Sequence, residues 1–583
     1  MISKAEQQLA FEKVYKKLNA AQKKAVDTIE GPVMVIAGPG TGKTQILGAR
    51  IGKILLETDT APENILCLTY TDAGAIAMRK RLMDFIGTAA YKVTISTFHS
   101  FCNDIIQDNL SLFEKPSLDP ISELEKIALL KELIDQFDKT NPLKRFKGDV
   151  YYEMTNLSKL FSTMKKEGWD VSFLTEQIDQ YIQTIPFRDE FVYQRKYKQF
   201  EAGALKQGLV DDALEKMGKL KAAVAAFDEY QGLMKKHGRY DFDDMINWVI
   251  RAFKENKNLL AQYQERYLYI LVDEFQDTSG TQNELVQLLT NYWEQPNLFV
   301  VGDDDQSIFR FQGANVENML HFQTQFKEDI VNIVLEQNYR STQPILDAST
   351  QVINQNQERL INKIGGLSKN LIASLPENQS IDIAPSILQY NDPQEEMIDI
   401  TEKIAKLIDS GTEPKEIAVL YKEHKYGTEI AHFLQQKNIP IYSRRTANLF
   451  DQILIQQILK ILDYLACEWD QPNEGANLLF EILHFKWWQI SPITIATLTV
   501  EANQLKFNHK ENSFRKVLID KTQEVQTDLF STGGLEQVAK AVKVLEDLIG
   551  QIPNVTLVNL IEQILQKTGI IQAVLNSDDK AAE

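Results

Sequence analysis

Cysteine is scarce in this chain. Cys67, Cys102 and Cys467 are the only three in 583 residues, too widely spaced for a disulfide framework or for a zinc or iron–sulfur motif. Long apolar runs are lacking too, and none reaches the length that a membrane helix needs. The opening MISKAEQQLAFEKVYKKLNA is charged throughout and has no apolar centre of the signal-peptide kind. These absences lead us to expect a cytoplasmic protein without a membrane partner. Low-complexity linkers and fixed-period repeats are missing, which removes solenoid architectures. Positive charge is also short: 63 Lys and Arg face 81 Asp and Glu, a net charge of −18. In a small domain that balance argues against nucleic acid. In a chain long enough for about four domains, a local basic groove can bind phosphate while the remaining surface carries the acid. Charge therefore leaves the partner open, and motifs must decide.

Two motifs stand out. The run Ile270-Leu271-Val272-Asp273-Glu274-Phe275-Gln276-Asp277 reads as the end of a buried strand followed by carboxylates. Ligands of open α/β sheets bind outside the carboxyl ends of strands. An Asp–Glu pair there suits Mg²⁺ binding by the first acid and water activation by the second. A lone acidic strand end is more often a solvated turn, but residues 37–44, AGPGTGKT, supply the complementary half. They follow the short apolar run Val33–Ile36 and precede a helix-compatible segment, the order that a phosphate-binding loop requires. Gly38, Gly40 and Gly42, with Thr41 between them, let backbone N–H groups turn toward phosphate oxygens at a helix start. Lys43 can reach the β- and γ-phosphates, and the Thr44 hydroxyl can ligate Mg²⁺. Ala37 stands where the strict pattern has glycine, a mild departure. The chain is expected to bind a nucleoside triphosphate, ATP in the reading below, together with Mg²⁺.

Apolar strand candidates at Val33–Ile36, Ile65–Leu68 and Val93–Ile95, then Ile270–Val272, Leu298–Val301 and Ile330–Val334, alternate with helical sequence. The pattern predicts an α/β fold with a parallel sheet. Between about 105 and 240 the texture is helical. Asp119-Pro120 reads as a helix start, and charged helical sequence covers Glu190 to Phe200 and Leu220 to Lys236. A second strand series is expected at Ile387-Leu388, Ile417–Leu420 and Ile439–Tyr442, followed by helices from about 452 onward.

At this point the chain resembles the UvrD/Rep-type superfamily 1 DNA helicases. LNAAQKKAV at 18–26 resembles the Q motif, and AGPGTGKT is the Walker A block. LTYTDAGAIAMRKRL at 68–82 and TFHS at 97–100 resemble DNA-facing blocks. LVDEFQDT at 271–278 is Walker B, VGDDDQSIFRFQGA at 301–314 resembles motif III, and LEQNYRST at 335–342 resembles motif IV. YDFDDM at 240–245 matches a recurrent family segment to which we assign no individual roles. The ordered set is specific, whereas any block besides Walker A would be weak alone.

The resemblance implies RecA-like P-loop NTPase sheets with inserted helical domains: a first RecA-like domain in 1–105 and 240–330, a helical insertion in 106–239, a second RecA-like domain in 331–451, and a helical insertion in 452–583. It implies that Thr44 and Asp273 organise Mg²⁺, that Glu274 is the base, and that Gln306 senses the γ-phosphate. Arg340 would be an arginine finger, Tyr339 would stack on adenine, and Gln22 would read it. On single-stranded DNA, bases would stack on Tyr70 and Phe311, with Thr97 and His99 nearby.

Family members often carry Phe, Trp and Arg where Tyr70, Phe311 and Gln312 stand, and an Arg where Gln45 follows Walker A. Two later family blocks, one around Lys-Gly-Leu-Glu and one ending in Thr-Arg-Ala, are absent; after Arg445 the only arginine is Arg515. The resulting expectation is the amino-terminal portion of an ATP-dependent 3′–5′ helicase acting on single strands and junctions, possible accessory proteins being implied by family alone. The alternatives are the motor part of a helicase–nuclease and an ATP-gated DNA-binding module with little turnover.

Overall fold

The computed structural model describes residues 4–113, 119–145, 148–196, 200–307, 317–443, 449–508, 513–527 and 535–575. The chain divides into two compact units, Met1–Leu388 and Gln389–Glu583.

The first unit is built on a six-stranded, all-parallel sheet. Its strands are β1 (Val33–Ala37), β2 (Ile65–Thr69), β3 (Thr94–Thr97), β4 (Tyr269–Val272), β5 (Leu298–Gly302) and β6 (Val331–Leu335), in the order β3-β2-β4-β5-β1-β6. Each of the six apolar runs in the sequence supplies one strand. Alternate side chains feed two cores: Met34, Ile36, Leu66, Leu68, Ile270 and Val272 on one face, and Val33, Val35, Ile65, Cys67, Leu271 and Phe299 on the other. Burial on both faces explains why these strands read as continuous apolar sequence. β6 pairs with β1 in register Val33 to Val331, so the sheet takes in residues that the sequence reading placed at the opening of the next domain.

The segment between β3 and β4 holds a helical cluster around Leu133, Phe161, Met164 and Tyr230. Two local readings there need correction. Asp119-Pro120 is a short strand paired with Arg239-Tyr240. The following helix, Glu123–Gln136, starts at Ser122, which forms a reciprocal capping box with Glu125 and satisfies two orphan N–H groups. Among its described residues the charged run from Glu190 is not an α-helix: the single turn Asp189–Phe191 precedes an antiparallel bridge between Val192 and Leu205. Helix resumes at Gln207 and runs to Lys236. YDFDDM gains a role as well. Asp241 caps the helix Phe242–Glu255, and Asp241 and Asp244 accept hydrogen bonds from Lys165 at 2.7 and 2.9 Å. Lys165 is buried, so this pair of acids anchors the inserted helices to the sheet domain.

The expected second strand series does not form a sheet among the described residues. Ile387-Leu388, Ile417–Leu420 and Ile439–Tyr442 have no regular secondary structure and no ladder partners, and Ile387, Leu420 and Tyr442 are 99%, 95% and 87% exposed. The second unit is helical. Pro393–Asp409 and His424–Gln436 precede a bundle from Ile453 onward, cored by Tyr464, Leu483, Trp488, Leu518 and Leu545. Arg515 pairs with Glu468 at 2.6 Å and Glu546 at 2.7 Å, so the last arginine of the chain braces this bundle. No helix among the described residues is long and apolar enough to cross a membrane.

Candidate active site

The glycine loop leaves the carboxyl end of β1 and ends at Lys43, the first residue of the helix Lys43–Glu57. Gly40 and Gly42 adopt φ of +71° and +90°, backbone that other residues reach only with strain. Thr41 is fully buried, and its hydroxyl donates to the Gly38 carbonyl at 2.7 Å, closing the loop on itself. Gln22 is buried beside it. Its amide donates to the Thr41 carbonyl at 2.8 Å while its carbonyl oxygen accepts from the Asn19 N–H at 3.0 Å. The expected adenine reader thus braces the loop and caps its own helix.

Walker B emerges two strands away. Lys43 Nζ lies 2.6 Å from Glu274 Oε2, bringing the two halves of the motif pair together. Asp273 is buried at the end of β4, and its N–H donates to the Leu68 carbonyl at 2.9 Å. Burial and the Glu274 charge push its carboxyl up to about 7, against the pull of Lys43. The same causes raise Asp277 to about 6. Among the described residues Asp277 Oδ1 is buried without a hydrogen-bond partner. The Asp273 carboxylate at the strand end and the hydroxyl of Thr44 in the first turn of the Walker A helix are hard oxygen donors of the kind that suits Mg²⁺. Glu274 itself has φ +48°.

A polar relay continues from Glu274. Gln276 Nε2 donates to Glu274 Oε2 at 3.0 Å and to Asp277 Oδ2 at 3.1 Å. Gln276 Oε1 accepts from the Asp303 N–H at 2.9 Å, and Gln306 Nε2 donates to Asp303 Oδ2 at 2.5 Å. The NYRST segment closes the other side. Asn338 is buried; its amide donates to the Pro39 carbonyl at 2.5 Å, and its Oδ1 accepts from the N–H groups of Arg340 and Ser341. Tyr339 N–H donates to the Gly40 carbonyl at 2.9 Å, and its hydroxyl accepts from Asn19 at 2.9 Å. Arg340 is exposed, with no side-chain ion pair given for it among the described residues. Lys43, Thr44, Asp273, Glu274, Gln306, Tyr339 and Arg340 therefore flank one loop. Asn338 and Gln276 were missed as individuals although both lie inside quoted motifs; Asn19 had only its position at a helix start as a signal.

On the presumed DNA side, Tyr70 follows β2 and is 37% exposed; burial, then Asp277 and Asp243, raise its hydroxyl pKa. Thr97 is buried and caps the helix Phe98–Asp108 through the Ser100 N–H. His99 does not cap that helix. It lies 3.8 Å from Asp243 and edge-on to Phe242 at 6.2 Å. Phe242, 62% exposed, is an aromatic that the sequence reading left without a role. Phe311 and Gln312 fall outside the described residues. In the inserted helices, Lys144 of the basic run at 144–147 donates to the carbonyls of Asp135 and Phe137, capping a helix end.

Comparison with known proteins gives two family matches. The UvrD/REP helicase N-terminal domain covers residues 18–327 and the UvrD-like helicase C-terminal domain covers 333–571. The second match corrects the expectation of an amino-terminal portion, because residues of both family domains are present. Among similar proteins, the putative ATP-dependent DNA helicase YjcD of Bacillus subtilis is 29% identical over 87% of this chain and 59% of its own length. The ATP-dependent DNA helicase PcrA of Staphylococcus epidermidis is 27% identical over 95% of this chain and 66% of its own. PcrA of Staphylococcus aureus is 29% identical over 77% and 54%. The chain spans roughly three fifths of the length of these curated relatives.

Proposed function

The chain belongs to the UvrD/REP helicase family, and we propose that it is an ATP-dependent motor that moves 3′ to 5′ along single-stranded DNA and opens duplexes at junctions. The observation that carries this reading is the continuous wiring of the phosphate loop: Lys43 to Glu274, Glu274 through Gln276 to the loop bearing Gln306, and the loop carbonyls to Asn338 and Tyr339. A nucleotide held at this loop would meet Lys43 directly, and the hydrogen bonds running on from Lys43 and the loop carbonyls would carry its charge to the remaining groups.

In this mechanism the backbone N–H groups of residues 38–44 and Lys43 hold the phosphates, and Tyr339 offers its ring to adenine beside Asn19. Thr44 and Asp273 would hold Mg²⁺, which when bound neutralises charge on the β- and γ-phosphates. Phosphate binding draws Lys43 from Glu274 and frees that carboxylate to accept a proton from the attacking water. Arg340 supplies positive charge to the transferring phosphoryl group, a contribution of about 10³–10⁵ in rate elsewhere. Gln306 carries the loss of the γ-phosphate to motif III. Tyr70 offers one ring for base stacking and the exposed Phe242 beside His99 offers another, a mode that tolerates any sequence because every base has a π-face.

The test is steady-state ATP hydrolysis by the chain with and without a single-stranded oligonucleotide. Turnover that rises strongly with DNA supports a coupled motor. ATP binding with no turnover in either condition would leave an ATP-gated binder and remove the motor reading.

A further inference from the structure

Motif III carries three consecutive acids, and their carboxylates converge within 4.8 Å of one another. That spacing could hold a cation, and the cation in place is a side chain. Lys369 is 1% exposed. Its ammonium bonds Asp303, lies 3.0 Å from Asp304 Oδ1 and lies 2.8 Å from Asp305 Oδ2. Arg359 completes the arrangement with a bidentate pair to Asp305 at 2.7 and 2.8 Å. The Leu360 N–H donates to the second oxygen of Asp304 at 2.7 Å. Asp303 is also the residue that receives Gln306 and joins Gln276.

Lys369 is thus one bond from the Asp303 carboxylate that orients Gln306, and two further links from Glu274. It also opens the segment that lies on the phosphate loop. Ile372-Ala373 pairs with Gln337-Asn338, and the Leu371 side chain fills the space that a Cβ on Gly38 would need. Two buried carboxylates and a partly buried third packed this closely repel one another unless a cation sits among them, so the shape of the Gln306 loop depends on a residue about sixty positions downstream of it.

We propose that Lys369, seconded by Arg359, is a positioning residue for ATP hydrolysis, holding the Asp303–Asp305 turn so that Gln306 faces the γ-phosphate while the phosphate loop stays braced. The proposal rests on the motor reading above. It assigns Lys369 an effect on turnover rather than on nucleotide capture, because the residue touches neither phosphate-loop N–H groups nor Lys43.

The experiment compares wild type, Lys369→Met, Lys369→Arg and Arg359→Gln by DNA-stimulated ATP hydrolysis and by thermal unfolding. Lys369→Met is expected to lower kcat at least about tenfold while KM for ATP changes less than about threefold. Lys369→Arg should recover kcat to within about threefold of wild type. Should Lys369→Met not fold, Arg359→Gln is read in its place, and a selective fall in kcat is again expected. A folded Lys369→Met or Arg359→Gln with wild-type kcat overturns the proposal, as does a parallel loss of kcat and affinity that Lys369→Arg does not rescue. Absence of turnover in wild type, with DNA present, overturns the motor reading itself and is thereby distinguished from failure of Lys369 alone.

Discussion

Val33–Ala37 and Ile417–Leu420 read almost alike, as short β-branched apolar runs beside helical sequence, yet they end in opposite environments. The first is buried along its whole length between two parallel neighbours. The second has no ladder partner among the described residues, and its Leu420 is 95% exposed. A strand of a parallel sheet is made by its neighbours as much as by its own propensity. The same contrast holds for polar groups. Around the phosphate loop, amides and carboxylates are joined into one network, while among the described residues of the helical second unit Arg515 with Glu468 and Glu546 forms a smaller, partly buried cluster.

The contrast is sharpened most by Glu274→Gln. That change removes the proposed base while keeping the side chain's shape, and ATP hydrolysis should fall by orders of magnitude, about 10²–10⁴ for loss of general-base catalysis, with nucleotide binding kept. Single-turnover kinetics beside equilibrium nucleotide titration checks it, and near-normal turnover would remove Glu274 from its role. Arg515→Met is next. Leaving Glu468 buried beside Glu546 without its cation should cost about 3–5 kcal/mol in denaturant unfolding followed in the second unit. A loss below about 1 kcal/mol would mean that this cluster is no counterpart of the phosphate-loop network.

A matched pair tests the two strand readings directly. Ile36→Ala should destabilise by about 2–5 kcal/mol, whereas Leu420→Ala should stay within about 0.5 kcal/mol. Equal costs in urea melts would show that the 417–420 segment is buried in solution after all. The smallest effect is on pH. Asp273 and Asp277 hold their protons more tightly in the folded chain than in the unfolded one, where the ordinary carboxyl value is 3.8. Their contribution is therefore fully present below that value and is lost as pH rises through about 6 to 7. Metal-free protein should lose stability over that window, and Mg²⁺ with nucleotide should restore it more at the upper end than at the lower. Calorimetric scans across the window, with and without Mg²⁺ and nucleotide, would reveal a flat dependence if the two carboxylates ionise freely.

All six strands of the sheet were legible because burial on both faces leaves a continuous apolar signature in the sequence. The glycine loop was legible because positive φ and phosphate approach restrict the residues allowed there. The misreadings were local or relational. Asp119-Pro120 looked like a helix start because the competing cap, Ser122 with Glu125, lies only three residues on. Glu190–Phe200 carried helical composition, but its end is tied back through the Val192–Leu205 bridge, a contact that composition does not record. Lys369 gave no signal of its own and Asn19 only its place at a helix start in the 18–26 block, since their partners stand about 65 and 320 positions away. Gln276 and Asn338 were inside recognised blocks, where resemblance named the block and geometry was needed to name the atom.

Glu274 stands in left-handed backbone at φ +48°, a conformation that costs a side-chain-bearing residue on the order of 1–3 kcal/mol. Selection for thermal robustness alone would favour glycine at this position, and Glu274→Gly should yield a sturdier and inert protein. An acid kept at a strained strand end is what the turnover proposed above would require, since stability alone gives no reason to hold a side chain there.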